Sequence, residues 1–470
     1  MKENKELILK TLKLLSIIIL YYIIGNKSIF LYVLSISLYN IFSSCFNHIS
    51  IKESLKKLET NKSKNKLFKL VLLVITIISF LFLLLSILIS DMLSVFLNIN
   101  NITLIFIFEG LSIITKPLIK ILSEYLENIK SNRKYNMLIN IYNILDNILL
   151  LIIALFIFRI FNLKENIAIS LLYLSKILST IIIIILLYLL NKKTIYNNKE
   201  DKVNYTKELR YILTNNSYKS TISIIKNSYY YISIIILYLV LSTRYNYKLD
   251  DLTKIISFIY FYALSIVDYL IYLAKSITNN NSNKIIDKLY QTFKMSLTIS
   301  IIFGIISPLT CKVIFNNPSM SIYLLMMNIL TIFILLYDIT YENIKNKTVI
   351  YISLSLGIIL KIILTIPLIN SYYRMGYNMV YGDIISTIIS MFISIIINYI
   401  YLKKIDKTKI NYIEKILDIL YENILLCIIL ILVQFIIPID TKNYLKSLGL
   451  IIIYLIISIT FIIIKNKKRG

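Results

Sequence analysis

Breaks in the chain are scarce: 470 residues contain five prolines and eight glycines. Both residues interrupt regular structure, so long uninterrupted helices are the expected element. Segments of alternating polarity, which a transmembrane barrel requires, are also missing. Three cysteines, Cys45, Cys311 and Cys427, are scattered through apolar surroundings at no metal-like spacing and read as core residues. The single histidine, His48, sits alone at the inner end of the second hydrophobic run, which argues against a ligand role. Acidic residues are outnumbered, 25 against 51 Lys and Arg.

What is abundant is apolar sequence. A hydrophobic share of 58% and a mean hydropathy of +0.76 exceed the 45–50% of a soluble globular chain. The chain is therefore read as an all-α integral membrane protein. Fourteen spans are expected, at roughly 11–25, 28–47, 70–91, 102–122, 138–158, 166–190, 220–242, 254–275, 295–315, 319–341, 349–370, 378–402, 416–437 and 443–464. The apolar run after Lys13 lacks a small-residue cleavage site and is kept as the first of these. With both termini cytoplasmic, about 37 of the 51 basic residues lie inside, about 10 outside and about 4 within spans. That asymmetry follows the positive-inside rule, so the net charge of +26 calls for no nucleic-acid partner. The polar stretch 191–217 splits the chain nearly in half. We place an N-lobe at residues 1–205, a C-lobe at 206–404 and a terminal helix pair at 405–470.

Charges inside the spans are the candidate functional residues. Lys361 sits near the middle of "VIYISLSLGIILKIILTIPLI", where a cation costs on the order of 3 kcal/mol unless a partner or wet cavity meets it. The next span offers compensation: Asp383, Thr387, Ser390, Ser394 and Asn398 recur at helical spacing and share one face. Gly357, Lys361 and Thr365 form a matching line. Two facing polar stripes point to a hydrated interior, although helix-to-helix hydrogen bonding uses the same residues. In the fourth span Glu109, Lys116 and Lys120 fall within about 40° of one another. Asp146 lies on an asparagine-rich edge of the fifth span, and Lys176 sits near the middle of the sixth. Asp268 lies deep in the eighth, on a line with Ser257, Ser265, Tyr272 and Lys275. The outer "KLDDLTK" holds Asp250 and Asp251, read as a solvated pair.

Twelve spans in two six-helix lobes plus a terminal pair resemble the polysaccharide-transporter branch of the multidrug/oligosaccharidyl-lipid/polysaccharide (MOP) exporter superfamily, which includes the stage V sporulation protein B group and lipid II flippases. The local resemblance is carried by "NPSMSIYLLMMNILTIFILLYDITYENIKNKTVIYISLSLGIILKIILTIPLINSYYRMGYNMVYGDIISTIISMFISIIINYIYLKK". There the family has a tenth helix, a short basic turn, an eleventh helix with a central lysine and a glycine-containing turn into the twelfth. Lys361 falls on that lysine, and Gly376 and Gly382 fall in that turn. A second match is "YLENIKSNRKYNMLINIYNILDNILLLIIALFIF".

The resemblance implies a V-shaped, cytoplasmic-membrane flippase that moves a polyprenyl-pyrophosphate-linked oligosaccharide by alternating access. It acts as a monomer among membrane lipids, with no resident cofactor or metal and no catalytic residues. Lys361, Lys116 and Lys176 are then the cations for the diphosphate. Glu109, Asp146, Asp268 and Asp383 are their counter-ions or bind a coupling H⁺ or Na⁺. Lipid II flippases carry arginines on the first two helices; here those spans have none, so any phosphate grip falls to lysines. Two other readings are weighed: a multidrug (MATE-like) H⁺- or Na⁺-coupled exporter of drugs or organic cations, and a membrane glycan polymerase or glycosyltransferase. The last requires positioned acids, bases or a metal in a sizeable aqueous loop, and the expected outer loops are about ten residues or shorter.

Overall fold

The computed structural model describes residues 2–46, 49–97, 99, 102–130, 135, 137–161, 163–190, 204–214, 217–245, 247–278, 285–344, 346–405, 412–437, 439 and 443–467. His48 and most of the 191–217 stretch lie outside them. Among the described residues there are helices and no strands. The chain forms two compact units, Met1–Lys254 and Ile255–Gly470.

The first unit contains α1 (Lys2–Ile23), α2 (Asn26–Ser44), α3 (Lys52–Lys56), α4 (Asn61–Leu97), α5 (Thr103–Ser112), α6 (Thr115–Lys130), α7 (Leu138–Leu155), α8 (Glu165–Leu172), α9 (Leu174–Leu190), α10 (Tyr205–Thr214) and α11 (Ser217–Thr243). The boundary falls within α12 (Leu249–Ser257). The second unit continues with a π-helical segment, Phe258–Ala263, then α13 (Leu264–Thr278), α14 (Ile285–Phe315), α15 (Ser321–Asn343), α16 (Lys347–Arg374), α17 (Val380–Ile405), α18 (Tyr412–Ile436) and α19 (Tyr444–Lys467).

Burial runs opposite to the pattern of a soluble protein. In α4 the enclosed side includes Ser63, Ser79, Ser86 and Ser90, while Leu73, Ile77, Phe80, Leu81, Leu84 and Leu88 are exposed. Small residues let helices approach, and large apolar ones face outward where lipid tails solvate them. The protein is a multi-pass membrane protein. Ten helical runs among the described residues are long and apolar enough to cross a bilayer, with a shorter apolar helix at Tyr444–Ser458, against the fourteen expected spans.

The broken fourth span is one reason the two counts differ. Pro117 in the first turn of α6 has no N–H to give, and its ring obstructs the carbonyl four residues back, at Ile113. The helix accordingly stops at Ser112 and restarts at Thr115. Next to the break, Gly110 lets α5 lie against α4: a Cβ there would come within 2.9 Å of the Leu83 Cα. At Gly382 a Cβ would meet the Ile369 backbone nitrogen at 2.5 Å, so α16 and α17 touch main chain to main chain.

Candidate functional site

Backbone contact at Gly382 brings the stem of Lys361 against the first turn of α17. Its ammonium lies 2.6 Å from Asp383 Oδ1, 3.0 Å from the Asp383 carbonyl, 2.9 Å from Ser386 Oγ and 2.7 Å from Thr387 Oγ1. Both charged side chains are 0% exposed. The other carboxylate oxygen, Oδ2, accepts from the Tyr260 hydroxyl, delivered by the π-helical segment. Thr365, one turn beyond Lys361, gives its proton to the Lys361 carbonyl at 2.6 Å and stands 3.0 Å from Ser386 Oγ.

Along the rest of the α16–α17 seam the expected stripe is in place and enclosed. Ser390, Ser394 and Asn398 are fully enclosed, and Ser394 donates to the Ser353 carbonyl across the seam at 2.9 Å. Helix-to-helix hydrogen bonding, the other use of such residues, is what this part of the seam displays.

The first unit holds a second lysine–aspartate pair, more open than the first. Lys176 on α9 lies 2.9 Å from Asp146 Oδ2 on α7, with side-chain exposures of 14% and 15%. Ser175 donates to Asp146 Oδ1 at 2.6 Å, and the ammonium sits 5.1 Å from the centre of the Tyr39 ring. Such a cation–π contact adds roughly 0.5–2 kcal/mol.

Lys116, at the start of α6, is exposed and has no ion pair or hydrogen bond among the described residues. Crowding by protein atoms acts on its charge first, and next come the lysines Lys13, Lys176, Lys10 and Lys120. Lys10 and Lys13 come from α1, which helical spacing alone does not join to the site; their membership depends on tertiary packing. Lys120 feels the Glu124 carboxylate, which itself accepts from Ser50 Oγ at 2.9 Å and the Ile51 N–H at 2.8 Å.

Glu109 is separated from Lys116 by the break before Pro117 and is enclosed where Lys116 is exposed. It is 0% exposed, and neither carboxyl oxygen has a hydrogen-bond partner. The neighbouring Ser86 hydroxyl spends its proton on the Phe82 carbonyl at 2.9 Å. Asp268 is exposed on α13, well inside the Leu249–Ser276 run. Lys275, expected on the same line, instead bonds Asp338 on α15 at 2.9 Å. Asp250 and Asp251 are exposed in the first turn of α12, as a solvated pair should be.

No protein-family model matches the chain, and neither does any curated protein sequence. Solved structures do. A lipid II flippase MurJ in an inward closed conformation is similar with a TM-score of 0.65 at 14% identity, covering 99% of this chain and 98% of that one. The chain has the fold of the MOP exporters. An inward-facing multidrug resistance MATE family transporter of the MOP superfamily gives a TM-score of 0.53 at 12% identity, over 85% of this chain and 94% of that one. An outward-facing MATE family structure gives 0.51 at 12% identity, over 86% and 95%. On this MOP fold the open lysine cluster belongs to the first unit, and the enclosed Lys361–Asp383 pair to the second.

Proposed function

We propose that this protein is a flippase that carries a polyprenyl-pyrophosphate-linked oligosaccharide across the cytoplasmic membrane by alternating access, as a monomer with both termini inside. One observation carries the reading: Lys10, Lys13, Lys120 and Lys176 stand close enough to act on the charge of Lys116 within one unit of an exporter fold, and Lys116 is exposed with no carboxylate bonded to it among the described residues. Like charges held together cost energy unless an anion joins them, and a diphosphate supplies two or more negative charges at once. Lys116 and Lys176 are its principal contacts. Lys361 is saturated by its own unit, so we assign it to holding α16 and α17 together. Glu109, an enclosed carboxyl with no partner, is the candidate for the coupling H⁺ or Na⁺. The near-complete overlap with the flippase structure, terminal helix pair included, supports the same reading.

A drug or organic-cation exporter would need carboxylates turned towards its substrate. Asp146 and Asp383 are committed to lysines and Glu109 is enclosed, which leaves Asp268 as the exposed acid of the four. The decisive measurement is equilibrium binding of a short-chain polyprenyl diphosphate sugar and of a lipophilic cation to the purified protein. Lys116→Ala is expected to weaken the diphosphate at least about tenfold, the scale of one charge-assisted contact. Unchanged binding, or selective binding of the cation, overturns the proposal.

A further inference from the structure

The surroundings of the Lys361 ammonium are those of a bound metal ion: oxygen only, at 2.6, 2.7, 2.9 and 3.0 Å. An ammonium head and a potassium ion are of nearly equal size, and a ring of carbonyl, hydroxyl and carboxylate oxygens replaces the hydration shell of either. All four oxygens belong to one helical turn, Asp383 to Thr387. That turn is fixed without the lysine. Ser386 and Thr387 donate to the Asp383 carbonyl at 2.7 and 3.1 Å, which directs their lone pairs away from it. Tyr260 holds Oδ2 of the same carboxylate. Asp383 lies in the first turn of α17, where the helix dipole favours its negative charge.

We infer that the turn Asp383–Thr387 is a monovalent-cation site that the chain fills with its own side chain, Lys361 serving as a tethered cation. Truncating that lysine empties the site without dismantling it, and a free potassium or methylammonium ion then takes its place. The full-length protein has no demand for a dissociable cation at this position. This inference is independent of the substrate, because it concerns a cage closed within the second unit.

The test is thermal unfolding of purified wild type, Lys361→Ala and Lys361→Ala/Asp383→Asn in potassium, methylammonium or choline chloride at equal ionic strength. Ligand linkage predicts a saturable rise in the Tm of Lys361→Ala with potassium and methylammonium but not with choline, which is too large to enter. The wild type and the double variant should show no such rise. A Tm of Lys361→Ala that is the same in all three salts overturns the inference, as does an equal potassium response in the wild type. If Lys361→Ala does not survive purification in choline, recovery in potassium supports the inference. Loss of both Lys361→Ala and Lys361→Met in either salt overturns it.

Discussion

Two lysine–aspartate pairs of the same chemistry have opposite settings. Lys361–Asp383 is sealed, with every oxygen around the ammonium supplied by one turn of its neighbour helix. Lys176–Asp146 is partly open, with an aromatic face on one side and an exposed cation, Lys116, within electrostatic reach. A closed pair has no way to greet a ligand without first coming apart. A half-open pair beside surplus positive charge does. In the proposed function, enclosure rather than residue type separates the lysine assigned to holding helices together from those assigned to a substrate.

Removing one partner from the sealed pair sharpens this contrast most. Asp383→Ala strands an ammonium in a dry seam and should cost about 3–5 kcal/mol, read as a large fall in Tm in detergent. Gly382→Ala comes next: the added methyl group meets the Ile369 backbone, and overpacking of this kind costs about 1–3 kcal/mol. In the first unit, a double-mutant cycle on Lys176→Met and Asp146→Asn should return a coupling of about 1–2 kcal/mol. A value equal to that of the sealed pair would erase the distinction. The least effect is expected at Lys27–Glu165, where both side chains are 45% exposed; separating them should change stability by about 0.5 kcal/mol or less.

Much of this was legible from the sequence. The membrane class follows from the apolar share, and the Lys361–Asp383 partnership follows from helical spacing on two adjacent spans joined by a short turn. What spacing does not encode is whether a polar stripe meets water or another helix. Asp383, Ser390 and Ser394 would repeat identically in both cases, and it is the packing of α16 on α17, main chain against main chain at Gly382, that encloses them. The shared face assigned to Glu109 and Lys116 assumes an unbroken helix, which Pro117 denies. Tyr260 is hidden from such a reading because a π-helical turn disrupts the 100° periodicity of the eighth span. Lys10 and Lys13 are brought into the site by packing alone.

The widened turn at Phe258–Ala263 also sets the rotational phase of everything after it in that span. A π-helical segment carries about one more residue than an ordinary helix of the same rise. Deleting a single residue there would let the helix close into regular winding and turn Leu264–Thr278 by about 100°. Lys275 would swing off Asp338, so the extra residue behaves as a phase shifter that keeps two halves of one rod addressed to different neighbours.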